Sequence, residues 1–378
     1  MHADKYMPES VRKLSLVVWM NQPSHYQTAF FRELAARRGV TLHVVYAVGV
    51  PQNRKALGWR EPEPEVFSQR VLSGWREGVT TAWNNRQAVH LVNGVWSVRI
   101  FVLCSGLLLL IGGRVFFHSE RPNPGKTRRQ ILHWLKAIWV RLLFLRSKGI
   151  FVIGRQAGHH YRQLGVPEEK IFPFMYFNHG GRAPTEKLKD RPFTVIYVGQ
   201  FVPRKRVEDL IEAFALFCPD SPRARLRLVG AGVLKKNYKL LVHSAELKGL
   251  VEIVGPLEPA KVIKEIQAAD VLVLPSAFDG WGLTVNEALQ SGVPAICSDA
   301  CGAAELLEEN SHWGLVYSAG SIDGLADALH SVAQRPEYYR PDVAEIEAQI
   351  GVAAQSTRFL QVVMTQRIEI EEDVANVV

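Results

Sequence analysis

A chain of 378 residues, 47% apolar and 22% charged, has the composition of a folded globular protein, and its length exceeds what one core serves, so two domains are expected. The net charge of +8 is split: residues 1–190 hold 28 Lys+Arg against 12 Asp+Glu and the rest 17 against 25, so only the first half suits a polyanionic partner. Four scattered cysteines, Cys104, Cys218, Cys297 and Cys301, exclude a disulfide framework and a zinc site, and read as buried thiols in a reducing compartment.

The opening residues, MHADKYMPESVRK, lack the apolar core of a signal peptide, so export is not expected. Residues 14–19 form a short apolar run that predicts a buried strand. Residues 28–38 place Phe30, Phe31, Leu34 and Ala35 at helical spacing, and residues 40–46 alternate as the next strand. Strand, helix and strand in that order predict a parallel sheet. Residues 51–78 are polar and Pro-rich, the pattern of a surface excursion. The greasiest run, 100–112, is shorter than the ~20 apolar residues of a spanning helix and reads as a buried helix leading into a strand at 114–118. Another strand is predicted at 149–153.

Between those two strands, residues 121–148 carry eight cations and no acid, with Ile131, Leu132, Leu135, Ile138, Trp139, Leu142, Leu143 and Leu145 at helical spacing. Such a helix suits either a bilayer surface or a core-facing position with a solvated basic back. The charge of the whole half favours the membrane surface. Residues 179–191 lack apolar periodicity and read as a linker. The βα rhythm then restarts, with strands at 194–198, 225–229, 251–254, 271–274 and 294–297. Helices are expected at 207–217, 234–247, 260–268, 284–290 and 322–333. This is a second doubly wound domain. A last amphipathic stretch near 354–368 is expected to return onto the first lobe.

The chemistry concentrates in Phe278-Asp-Gly-Trp-Gly-Leu-Thr-Val-Asn-Glu-Ala-Leu289. It follows a predicted buried strand and opens a helix, which puts it at the carboxyl edge of the sheet, where open α/β folds bind ligands. Gly280 and Gly282 permit close backbone approach, and the helix start through Leu283 and Thr284 offers N–H groups and a dipole that favour a diphosphate. Glu287 falls one turn into the helix, positioned for a pair of ribose hydroxyls, and Asp279 stands at the mouth of the loop. A second stretch, Val198-Gly-Gln-Phe-Val-Pro-Arg-Lys-Arg-Val-Glu-Asp-Leu-Ile211, places Arg204 and Lys205 in a strand–loop–helix turn. Val229-Gly-Ala-Gly232 is a short glycine turn at a strand end.

The first of these stretches resembles the Glu-x7-Glu motif of the family 4 retaining glycosyltransferases, with Asp279 where the first Glu usually stands and Glu287 as the second. Residues 291–302 are similar to the strand and glycine turn that close the donor pocket in that family, and Lys205 sits at its phosphate-gripping Lys. Gln200 occupies the usual Arg position, leaving Arg204 as the nearest substitute. The resemblance covers roughly residues 190–335. It implies a GT-B fold: two doubly wound Rossmann-like parallel-sheet domains facing a cleft, an acceptor domain at 1–185 and a donor domain at 190–350, with the C-terminal helix near 354–378 packed back on the first. It further implies a retaining hexosyltransferase using a nucleotide-diphosphate sugar, with Asp279 on the donor sugar, Glu287 on the ribose, and Gln200, Gly280, Trp281 and Gly282 in the donor pocket.

In the first domain, His118-Ser-Glu-Arg-Pro122 ends a strand. It resembles the position where many family members put a histidine near the reacting carbon. His118 and Glu120 are therefore candidates for the donor sugar or the acceptor, and His25, in the loop after the first strand, for the acceptor. The dinucleotide fingerprint is absent after the first strand, which argues against a dehydrogenase. No Asp-x-Asp pair is present, so no metal cofactor is expected, and no nucleic-acid module is found. The expected partners are a nucleotide sugar, a glycan or lipid-linked acceptor, and an anionic membrane at the cytoplasmic face. Competing readings are a non-catalytic sugar-nucleotide or membrane-binding GT-B module and a GT-B nucleotide-sugar epimerase.

Overall fold

The computed structural model describes residues 13–55, 59–61, 63–95, 98–122, 130–176 and 191–375. Its strands form two separate sheets, all parallel. The first contains β1 (Leu14–Met20), β2 (Val40–Tyr46), β3 (Ser68–Val71), β4 (Val89–Asn93), β5 (Arg114–Glu120), β6 (Gly149–Ile153) and β7 (Ile171–Phe174). The second contains β8 (Thr194–Val198), β9 (Arg225–Val229), β10 (Val251–Gly255), β11 (Val271–Leu274), β12 (Ala295–Ser298) and β13 (Gly314–Tyr317). The orders are β3-β2-β1-β4-β5-β6-β7 and β10-β9-β8-β11-β12-β13. Each sheet reverses its winding once, between β1 and β4 and between β8 and β11. Helices cover both faces of each sheet, so the central strands read as continuous apolar runs rather than alternating ones.

In the first lobe, helices Trp75–Asn84, Arg99–Leu110, Gln130–Arg146 and Arg155–Gln163 bury one face of the sheet around Trp19, Phe101, Phe117 and Phe144. Helix His25–Ala36 covers the other face, and beside it lies the long C-terminal helix Val352–Ala375. Phe359 of that helix is fully buried, with ring centroids 4.9 Å from Phe151 and 5.5 Å from Phe30. The chain thus crosses from the second lobe to the first at Gly351. A Cβ there would lie 2.4 Å from the Glu347 carbonyl, so only glycine fits this turn.

The doubly wound architecture of both lobes agrees with the sequence reading, which did not include β3, β4, β7, β13 or the helix Val343–Ile350. Residues 51–78 are more than a surface excursion. They include the edge strand β3, whose SQRV sequence is mostly exposed, and the start of helix Trp75–Asn84. In β4, His90 is buried inside the sheet: Trp19 donates its indole N–H to His90 Nδ1 at 3.1 Å, and His90 Nε2 lies 3.0 Å from the Asn85 carbonyl. Burial pushes this imidazole down to about 4. Three cysteines are buried and all four are free thiols. The stretch read as a linker lies almost wholly outside the described residues, as do residues 123–129. Among the described residues, no helix is long and apolar enough to cross a membrane.

Candidate active site

The winding of the second sheet brings two distant segments together. β8 and β11 are neighbours, registered through Val195–Val271 and Ile196–Leu272. The loops leaving their carboxyl ends therefore meet at the topological switch point. From β8 comes Gly199–Phe201 and the 3-10 turn Pro203–Lys205, and from β11 the loop that carries Asp279. Lys205 is largely buried, and its ammonium donates to Asp279 Oδ2. Arg204 is more exposed; it donates to the Phe278 carbonyl at 3.1 Å and stands 4.0 Å from Asp279 Oδ2. Gln200 contributes its backbone carbonyl, which accepts the Tyr197 hydroxyl at 2.9 Å.

Glycines allow these loops to lie backbone against backbone. A Cβ on Gly230 would fall 1.8 Å from the Gly199 carbonyl, and one on Gly232 2.3 Å from that of Phe201. Asp279 forms a parallel bridge with Cys301, the Gly302 N–H donates to the Asp279 carbonyl at 3.2 Å and that of Ala303 to Trp281 at 2.7 Å. Gly282, at φ +99, takes the left-handed turn that starts helix Leu283–Gln290. The first-turn N–H groups of a helix lack partners within it, so this end, at Leu283 and Thr284, can take an anion.

Glu287 lies in that helix, buried, and desolvation pushes its carboxyl up to about 8. Across the cleft is Tyr26, on helix His25–Ala36, whose hydroxyl is raised by burial and then by the Glu287 charge, with Arg54 opposing. The Trp281 indole turns inward, donating to Asn286 Oδ1 at 2.8 Å, while Asn286 Nδ2 donates to the Tyr176 carbonyl at 3.0 Å. The Trp281 side chain thus belongs to the core, and what it offers the loop is backbone.

The first lobe brings the end of β5 against this edge. His118 is buried edge-on to Phe174 and Tyr176, its Nε2 has no hydrogen-bond partner, and desolvation lowers it to about 4. It is therefore a neutral imidazole. Glu120 reaches solvent at the rim, yet protein from both lobes surrounds it. That desolvation, and then the Asp279 charge, push its carboxyl up to about 7, against the pull of Arg204 and Lys205. Its Oε2 sits where a Gly280 side chain would be, 2.4 Å from an ideal Cβ. Arg121 lies 4.9 Å over the Phe278 ring. The structure thus gathers Lys205, Arg204, Asp279, Gly280 and Glu120 in one charged cluster, with Glu287 further along the same helix end. The side chain of His25 lies outside the described residues.

Sequence reasoning did not single out Tyr26, Arg121, Tyr176 or Asn286. Tyr26 adjoins the named His25, Arg121 the named Glu120, and Asn286 precedes Glu287, but the pairing of each with the other lobe has no local signal. Chemically, the cluster offers cations and a helix terminus for phosphate and carboxylates for hydroxyls, while the neutral His118 imidazole lies buried two residues before Glu120 on β5.

This arrangement of two parallel sheets with the site at the second switch point is the GT-B fold. Anabaena Alr3699/HepE, solved in complex with UDP, superposes with a TM-score of 0.73 over 93% of this chain and 100% of that one, at 14% identity. Residues 183–344, most of the second lobe, match the family model of group 1 glycosyl transferases. A GDP-mannose-dependent alpha-(1-6)-phosphatidylinositol monomannoside mannosyltransferase of Mycobacterium tuberculosis is 29% identical over 196 residues, 49% of either chain. An exopolysaccharide phosphotransferase of Streptomyces coelicolor is 33% identical over 138 residues, 36% of this chain and 14% of that one. The chain thus spans about half of the first relative and a small part of the second.

Proposed function

We propose that the protein is a family 4 glycosyltransferase that moves a hexose from a nucleotide-diphosphate donor to a glycan or lipid-linked glycan, with retention of configuration. It acts in cell-surface polysaccharide or lipopolysaccharide synthesis, at the cytoplasmic face of the membrane, with the first lobe holding the acceptor and the second the donor. The observation that carries this reading is the Lys205–Asp279 pair at the β8/β11 switch point, beside a helix N-terminus and the buried Glu287 carboxyl. In the structure Asp279 neutralises Lys205. Arrival of a pyrophosphate exchanges one anion for another on Lys205 and releases Asp279 to accept hydroxyls of the donor sugar.

The costly event is charge build-up on the departing diphosphate as the bond from the anomeric carbon to its phosphate oxygen breaks. Lys205, Arg204 and the start of helix Leu283–Gln290 stabilise that charge, so this reading needs no metal. The acceptor hydroxyl attacks the oxocarbenium-like carbon on the face the diphosphate leaves, and its proton passes to a phosphate oxygen. Glu287 holds the ribose, and neutral His118 presents Nε2 to a sugar hydroxyl. Closure of the lobes limits hydrolysis.

A panel of nucleotide sugars tests this. One donor is expected to stabilise the protein thermally and to be hydrolysed slowly without acceptor. Lys205→Ala lowers that turnover ~10²–10³-fold, the scale for losing a charge-stabilising group, and Glu287→Ala abolishes the stabilisation. Interconversion of the donor sugar without hydrolysis, or no response to any donor, contradicts the assignment.

A further inference from the structure

A helix that covers a sheet turns an apolar stripe, spaced i, i+3, i+4 and i+7, towards it. In helix Trp75–Asn84 one stripe with that spacing is Glu77, Thr80, Thr81 and Asn84. These residues face β2 and β3 across an open groove of about 370 Å³. On the sheet side, the register sets His43 beside Ser68 and Val45 beside Arg70. Side chains alternate along a strand, so all four point to the face this helix covers, where Val45 and Ala82 share a core. The groove is a polar gap at the edge of an otherwise apolar layer, and its volume is that of a ligand site.

Glu77 is anchored at one end of the groove. The backbone N–H and the hydroxyl of Ser73 both donate to its Oε2 at 2.8 Å, and these bonds, the N–H first, hold the carboxyl below its ordinary range. Arg70 stands 3.5 Å from the other oxygen. The two fixed charges are thus opposite, which leaves no surplus for a phosphate or an ammonium group. The Asn85 amide is engaged, donating to the Thr81 carbonyl at 2.8 Å. Among the described residues, by contrast, the side chains of His43, Ser68, Thr80 and Asn84 make no hydrogen bond within the protein. What they present is an array of hydroxyl, amide and imidazole groups that between them donate and accept. A neutral polyhydroxylated ligand matches such an array, because each of its hydroxyls does both.

We propose that this groove binds a neutral stretch of oligosaccharide. β3 runs parallel to its neighbours, so the groove starts at the cleft side of the sheet with Arg70 and Glu77 and runs away along the edge to Asn84. β3 stands four strand places from β5, about 19 Å at the usual strand spacing. A single sugar cannot touch both, whereas a chain of several can. The groove therefore holds a distal part of a glycan whose near end lies at β5. That this glycan is the acceptor rests on the proposed function; binding in the groove does not.

NMR titration of the full chain with maltotriose, cellotriose and chitotriose tests it, with donor hydrolysis measured on the same preparations. At least one trisaccharide is expected to bind and not to be displaced by UDP. Thr80→Val and Asn84→Leu, at exposed helix positions, each weaken that binding ~5-fold, the scale for losing a hydrogen bond. Leu240→Ser, at a residue 71% exposed on the second lobe, leaves it unchanged. Thermal melts matched to the parent ensure that lost binding is read on a folded chain. No binding of any of the three, displacement by UDP, parental affinity in both helix variants, or equal loss in Leu240→Ser each overturn the proposal. Donor hydrolysis without trisaccharide binding sinks the groove alone; trisaccharide binding without hydrolysis of any donor sinks the transferase reading alone.

Discussion

Glu287 is placed where its charge is least comfortable. Burial holds its carboxyl up to about 8, against an ordinary 4.5. Between those two values the folded protein keeps a proton that the unfolded chain has released. The folded state binds more protons there, so stability falls as pH rises through that window and levels off above it. Glu287→Gln keeps the shape and removes the titration. In urea melts its midpoint should drop less than that of the parent between pH 5 and 8, with the largest gain near the top of that window. Parallel curves for the two proteins contradict the assignment of that burden to Glu287. Such a cost is understandable at a ligand site, where a buried polar group is held for what it binds.

The loop after β11 is an element held by its neighbours' backbones, and its glycines differ in what a side chain would meet. On Gly302 a Cβ would lie 2.4 Å from the Gly280 carbonyl, which cannot move without the loop. On Gly280 it would meet the tip of Glu120, which can swing away. Gly302→Ala is expected to cost ~1–3 kcal/mol in thermal melts, and Gly280→Ala distinctly less. The opposite order contradicts this description of the loop. Such differences are not legible in sequence, which shows only that glycines are present. What was legible follows a rule: five of the six strands of the second lobe and the stretch from Asp279 to Glu287 have strong local patterns, whereas the four-residue strands β7 and β13 show none. β3 was missed because an edge strand of exposed polar residues has no apolar signal. β4 was missed because its buried His90 is satisfied by Trp19 and Asn85, the former 71 positions away. Asn286 and Tyr26 matter through the opposite lobe, and no window of sequence contains both partners.

At the scale of the whole molecule, the two lobes are joined by more than a cleft. Ile153 of β6 enters the core of the second lobe, and Gly154 lies against the Trp281 ring, 3.0 Å from an ideal Cβ. Glu305 accepts the Arg155 backbone N–H at 2.6 Å, at the start of helix Arg155–Gln163. The C-terminal helix closes the circuit through Phe359. These contacts hold the end of β5 over the Asp279 loop, so that Glu120 meets the cluster around Lys205. The proposed activity requires that cluster to grip a pyrophosphate. Calorimetric titration of the protein with UDP and GDP measures this most directly. At least one should bind the parent, with affinity falling ~10-fold or more in Lys205→Ala, as expected for loss of a charge-assisted phosphate contact, and unchanged in Leu240→Ser. No binding of either nucleotide, or parental affinity in Lys205→Ala, contradicts it.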